Sequence, residues 1–307
     1  MTNPFRFSLQ SSVAPTMPVW RETARTAEAL GYSTLYVTDH LDAQFGPIVA
    51  IAVAAEATLT LHVGTLVLNN DLRNPVVLAK EIASLGLAFE GRITLGLGAG
   101  WQRSDYEQVG VGYDSASTRI TRLAESLTIL TMLFNDGVAN FNGQHYTVRD
   151  ARCEPLPNST PRLLVGGGSR RILSLAAQRA DIVNVNTSLA SGEAGPEGAS
   201  QATFDHYDRC LAWIRDAAED RFSSLELQIT AVAALIVPSR RAATRSATML
   251  GFPADDALEL PVLLIGTEDE LCERLIERRE RWGFSNIVVP EHAMASFSPV
   301  VARLAGT

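Results

Sequence analysis

The fold class this sequence predicts is a (β/α)8 TIM barrel with insertions, and three observations predict it. Short apolar, β-branched runs alternate with amphipathic helical patterns, the mark of parallel strands joined by helical crossovers. Eight such runs can be counted, the number that closes a barrel. The 307 residues suit one barrel carrying extra segments, because barrels of this class run to about 250 residues or more as one unit. A doubly wound open sheet is the runner-up.

The runs are residues 5–9, 34–37, 61–68, 93–97, 163–165, 182–185, 225–237 and 287–289. Between them, Trp20, Ala24, Ala27 and Leu30 recur at helical spacing, as do Ile120, Leu123, Leu127, Leu130 and Phe134. Gly31 and Gly283 stand where a helix C-terminus wants glycine. Two segments exceed a minimal barrel. Residues 136–162 are rich in turn formers, with Pro155, Pro157 and Pro161, and read as an insertion between the fourth and fifth units. Residues 187–203 are small and polar; directly after a strand end, they read as either a lid on the active face or a disordered loop.

A net charge of −8 argues against a sequence-independent grip on nucleic acid or on an anionic membrane, both of which need a basic face. The apolar stretch 48–68 is interrupted by Glu56 and His62, and residues 1–10 lack the pattern of a signal peptide, so no membrane span or targeting segment is expected. Cys153, Cys210 and Cys272 are widely spaced and odd in number, which suits a reducing, cytoplasmic setting and offers neither a disulfide framework nor a metal site. Lys80 is the sole lysine and lies in a helical pattern, which removes Schiff-base and P-loop chemistry. A small-molecule substrate is the default partner.

In a barrel, chemistry sits at the C-terminal ends of the strands. Asp39-His40 follows the second strand, and His40 in that place suits a general acid or base, or else caps a turn. Gly96, Gly98 and Gly100 end the fourth strand. Trp101 stands where a dinucleotide fingerprint would need glycine, so the run reads either as a backbone that a flat ring can approach or as a bend at a barrel corner. Gly166, Gly167, Gly168, Ser169 and Arg170 precede a helical pattern, an arrangement whose free amides and helix dipole favour a phosphate. A plain flexible turn is the alternative there. His62 and His145 read as structural, and no metallohydrolase or serine-hydrolase pattern appears.

Taken in order, these segments resemble the bacterial luciferase-like superfamily, and within it the branch of oxidoreductases dependent on the deazaflavin coenzyme F420. The resemblance rests on Asp39-His40, on 63–68 with Arg73-Asn74-Pro75, on 92–101 with Asp105-Tyr106, on Phe141-Asn142-Gly143 with Tyr146, on 155–168 with Ala176-Ala177 and Ala180-Asp181, and on 266–270. It implies one luciferase-like barrel over residues 1–307, with hydride transfer at C5 of the deazaflavin and His40 handling the proton. It further implies cofactor contacts from Asp39, Leu66, Val67, Asn69, Gly98, Ala99, Gly100, Gly167, Gly168, Ser169 and Arg170, with a bulge and a non-proline cis peptide at Leu66-Val67 as the backstop. Where sugar-phosphate dehydrogenases of the branch carry a glutamate this chain has Trp101, which suits an apolar or aromatic substrate. An FMN-dependent monooxygenase and a non-catalytic cofactor-binding barrel are the alternatives, no metal is implied, and a homodimer is left open.

Overall fold

The computed structural model describes residues 3–12, 16–187, 201–252 and 257–307. Its main sheet is parallel and closes on itself. β1 (Arg6–Ser11) lies between β2 (Thr34–Val37) and β13 (Phe284–Pro290); the sheet continues from β13 through β10 (Glu226–Thr230), β9 (Ile182–Val185), β8 (Arg162–Gly167) and β5 (Ile93–Gly98). The third position holds two pieces, β3 (His62–Thr65) and β4 (Leu68–Asn69), and both pair with β5, which completes an eight-position barrel.

The break in the third position is a bulge. Gly64 pairs with Thr94, but Leu68 pairs with Leu97, so this strand carries one residue more than its neighbour over the same span. The Leu66-Val67 peptide within it is cis, as the resemblance implies. Helices α1 (Met17–Ala29), α2 (Pro47–Glu56), α3 (Pro75–Ala88), α4 (Arg103–Val109), α5 (Ala116–Asp136), α6 (Arg170–Arg179), α7 (Phe204–Ala218), α8 (Arg240–Met249), α9 (Glu268–Trp282) and α10 (Met294–Leu304) surround the strands. Local signals explain their ends. Thr16 caps α1, whose buried Trp20, Ala24 and Ala27 form the expected stripe, and α9 opens on a Thr267/Glu270 capping box and closes on Gly283 in the left-handed region.

One expectation on strands needs correction. Residues 225–237 do not form one strand: β10 stays in the barrel, while β11 (Ala233–Ile236) leaves it and pairs in parallel with β12 (Leu263–Gly266). The chain changes partner within one residue: the Ala231 amide donates to Val288 of the barrel, and the Val232 amide to Val262, just before β12. Short apolar runs do not reveal which sheet they join. The 136–162 segment holds an antiparallel hairpin of β6 (Val138–Asn142) and β7 (Thr147–Arg152). The Glu125 carboxylate fastens its tip, accepting the amides of Gln144, His145 and Tyr146 at 2.7–3.0 Å.

The barrel is plugged at the N-terminal ends of its strands. Glu226 accepts from Arg6 at 3.1 Å, from Arg162 at 2.7 Å and from Asn286 at 2.5 Å, and an apolar layer of Tyr36, Leu66, Leu164, Ile182 and Val288 lies in the interior. Functional groups are therefore left to the opposite mouth.

Candidate active site

The mouth is assembled from the exits of β2, β4, β5, β8 and β9. Asp39, one residue beyond Thr38 at the end of β2, points inward and is buried. Both of its oxygens are occupied: Arg73 reaches each of them, the Nη2–Oδ1 distance being 2.9 Å, and the Asn69 amide donates to Oδ2 at 2.8 Å. Asp39 thus clamps the bulge from below. Three hydrogen bonds, two from Arg73 and one from the Asn69 amide, hold its carboxylate.

Asn69 is a hub. Its side-chain oxygen accepts the Asp71 amide at 3.0 Å and the Tyr106 hydroxyl at 3.2 Å, and Tyr106 also reaches Asp71 at 3.1 Å and the Ala99 carbonyl at 3.3 Å. Burial pushes the Tyr106 phenol well up from its ordinary value, and the Asp71 charge adds to the shift. Tyr106 is held as a neutral donor. Leu66 faces the interior, its carbonyl accepting from Gln10 at 3.5 Å, while Val67 is half-buried beside it.

The alternate glycines of β5 exist for this bulge. A Cβ at Gly96 would run into the Thr65 carbonyl, one at Gly98 would lie 2.6 Å from Val67 Cγ2, and one at Gly100 would meet the Tyr106 hydroxyl and, at 2.5 Å, Asn69 Oδ1. The missing side chains of Gly98 and Gly100 admit Val67 and Asn69, and Ala99 between them is buried.

The turn after β8 approaches the bulge from the other side. A Cβ at Gly166 would sit 3.6 Å from Val67 Cγ1 and 3.5 Å from Asn184 Oδ1, an ordinary contact distance. Gly167 is hemmed in by Ile172, and Gly168 by the backbone of Asn186 and Thr187 at the exit of β9. Ser169 is the N-cap of α6 in extended conformation, yet its side chain makes no capping bond, so the first-turn amides have no side-chain acceptor from their own cap. Arg170 is 70% exposed, with a long contact of 3.9 Å to Asp216.

His40 stands on the rim. Its Nδ1 lies 2.8 Å from Oδ2 of Asp105, whose side chain is 3% exposed, and its ring meets Trp101 edge-on with centroids 5.4 Å apart. Trp101 is itself held by the Tyr113 hydroxyl on its carbonyl at 2.8 Å. Sequence reasoning gave Asp105 no role, nor Arg73; only the Asp105-Tyr106 pair, in order after the glycines, marked the place. Glu291, at the exit of β13, accepts from the Ser11 and Thr23 hydroxyls and was also missed. His62 lies at the far end of the barrel, where burial lowers its pKa, and His145 sits in the hairpin. Of the segment 187–203 read as a lid or a disordered loop, 188–200 lie outside the described residues. Among the described residues no helix is long and apolar enough to cross a membrane.

Residues 3–249 match the family described as luciferase-like monooxygenase, and the chain belongs to that family. It is similar to pyrimidine monooxygenase RutA of Pseudomonas savastanoi pv. phaseolicola, 31% identical over 132 residues, which are 42% of this chain and 35% of that protein. It is also similar to the F420-dependent glucose-6-phosphate dehydrogenase of Amycolatopsis mediterranei, 27% identical over 168 residues, 52% of this chain and 50% of the other. The chain thus spans half or less of the length of these curated relatives. Among solved structures, an F420-dependent secondary alcohol dehydrogenase with an F420-acetone adduct superposes with TM-score 0.74 at 18% identity, covering 98% of this chain and 99% of that one. The F420-dependent tetrahydromethanopterin reductase of Methanopyrus kandleri gives 0.79 at 15% identity, covering 98% and 99%. The EDTA monooxygenase of Chelativorans sp. BNC1 gives 0.79 at 16%, covering 99% and 95%. These likenesses establish the barrel.

Proposed function

We propose that this chain is an oxidoreductase that moves a hydride between coenzyme F420, held in the barrel mouth, and a small organic substrate. One juxtaposition carries the reading: the clamped bulge lies beside the end of β8, where a Cβ at Gly166 would stand 3.6 Å from Val67 Cγ1, and Asp39, the residue before His40, accepts the Asn69 amide. A ring with a phosphate-bearing tail suits that arrangement. Val67 and Leu66 would support the ring, Asn69 and the 98–100 backbone would border it, and the amides of Gly167, Gly168, Ser169 and Arg170 would take the phosphate. Donors without a side-chain cap at a ten-residue helix match the chemistry of an anion.

When bound, the deazaflavin supplies the hydride chemistry. The chain supplies orientation and a proton path. His40 Nε2 has no hydrogen-bond partner among the described residues, so it is the ring atom available to give or take a proton at the substrate. Trp101 forms the adjoining wall, and an aromatic wall without a carboxylate favours an apolar or aromatic substrate over a sugar phosphate. The similarity to RutA supports a second reading, an FMN-dependent monooxygenase using the same mouth.

Anaerobic assays separate the two. Purified protein with coenzyme F420 and a panel of secondary alcohols and aldehydes, or with reduced F420 and enones, is expected to turn over without oxygen. Activity confined to reduced FMN plus oxygen would contradict the proposal. His40→Ala is expected to keep its fold and its cofactor affinity while turnover falls by about 10²–10⁴; full activity in the folded variant would remove His40 from the chemistry.

A further inference from the structure

We propose that Asp105 is a positioning residue that locks His40 in the Nδ1–H tautomer, so that the neutral ring presents an unprotonated Nε2 to the mouth. The inference rests on the proposed reading of His40 as the group that handles the proton. An ionised carboxylate can only accept, so the 2.8 Å contact to Asp105 Oδ2 requires the hydrogen on Nδ1.

The carboxylate cannot turn away from this duty. Its second oxygen accepts from Gln102 Nε2 at 3.2 Å and from the Leu41 amide at 3.4 Å, and its side chain is almost fully buried. No arginine or lysine pairs with it among the described residues. The contrast with Asp39 is informative. That neighbouring carboxylate is matched by Arg73, whereas the one ionisable partner of Asp105 is His40. The charge that appears on the ring when Nε2 takes a proton therefore meets a buried anion that no other cation neutralises.

Other contacts hold the histidine still. Trp101 packs edge-on against the ring, and Gln44, anchored by Thr38 at 2.6 Å, donates to the His40 carbonyl at 2.8 Å. The acid arrives from a separate strand exit: Gly100, at φ +77°, turns the chain out of β5, and Asp105 falls in the first turn of α4. Nothing in the backbone of β2 alone would select a tautomer.

The same contacts dictate what an amide would do at this position. In Asp105→Asn, the Leu41 and Gln102 donors hold the amide oxygen on their side, which turns the Nδ2 hydrogens toward His40 and makes Nδ1 the acceptor. The proton then moves to Nε2. Long-range 1H–15N correlation on protein labelled at histidine nitrogen reads this without cofactor, the His40 signal being assigned by its loss in His40→Ala. The wild type at alkaline pH is expected to show Nδ1 protonated, and Asp105→Asn to show Nε2 protonated. Coenzyme F420 affinity in the variant is expected within about threefold of wild type, while F420 reduction by the alcohol the wild type oxidises fastest falls by about 10²–10⁴-fold. An Nε2–H tautomer or an even mixture in the wild type overturns the proposal, whether or not the variant folds, and so does a folded Asp105→Asn that retains the Nδ1–H form. A tautomer switch with undiminished turnover instead upholds the lock and overturns the reading of His40 as the proton carrier.

Discussion

At the scale of single residues, the mouth depends on two carboxylates that stand close in space and do different work. Asp39 is bound twice by Arg73 and once by the Asn69 amide, so it holds the bulge; Asp105 holds a histidine. Asp39→Ala leaves a largely buried guanidinium and a buried amide without their acceptor, and breaking such a pair costs about 3 kcal/mol. Urea unfolding is expected to show a loss of that size, with faster hydrogen exchange at Asn69, and an unchanged midpoint would contradict the clamp. The Asp39-His40 pair was legible in the sequence as a place. Its division of labour was not, because Arg73 and Asp105 lie 34 and 65 residues from their partners and nothing local announces the pairing.

At the scale of elements, the third strand and β5 are one device. The glycines were legible, but their packing against the third strand was not, since only the paired geometry reveals which atoms fill the space they leave. Gly96→Ala would drive a methyl into the Thr65 carbonyl and is expected to destabilise by about 1–3 kcal/mol or more. Gly166→Ala has ordinary contact room at 3.5 Å and is expected to leave the thermal midpoint nearly unchanged. Equal melting of the two variants would show the bulge to be pliable. The hairpin offers a further check. Glu125, whose carboxylate three backbone amides hold below the usual range against the opposing effect of desolvation, fastens 144–146. Glu125→Ala should speed hydrogen exchange at those amides while leaving the barrel strands as protected as before.

At the scale of the whole molecule, strand-helix alternation made the barrel readable, because a sheet closed by parallel strands repeats one local pattern eight times. The exit of β11 to a second sheet was unreadable, since its apolar run carries no mark of the partner it will choose. The plug is equally silent in sequence: Arg6, Arg162, Glu226 and Asn286 meet only when the barrel closes. Burial by itself would raise the Glu226 pKa, yet Arg6, Arg162 and the bonds from Arg162 and Asn286 hold it below the usual carboxylate range. A lowered native pKa means stability that is present above the unfolded-state value and is lost as pH falls through the native one. Urea unfolding across acid pH should therefore show wild type losing stability faster than Glu226→Gln, which starts about 3 kcal/mol lower at neutral pH because two arginines lose their anion. Parallel pH profiles would contradict that account of the plug.

The central claim, that the barrel mouth holds a deazaflavin through its phosphate at the start of α6, is tested most directly by one titration of intrinsic tryptophan fluorescence with coenzyme F420 and with FMN, on wild type, Arg170→Ala and Arg170→Pro. Proline at the first helical position is tolerated, and Ser169 before it is already extended, so Arg170→Pro keeps α6 while deleting one amide donor. Saturable quenching by F420 is expected, with weaker or absent quenching by FMN and an F420 affinity that falls roughly tenfold further in Arg170→Pro than in Arg170→Ala, the value of one charge-assisted hydrogen bond. Saturable binding of FMN with none of F420, or equal F420 affinity in the two folded variants, would contradict that claim.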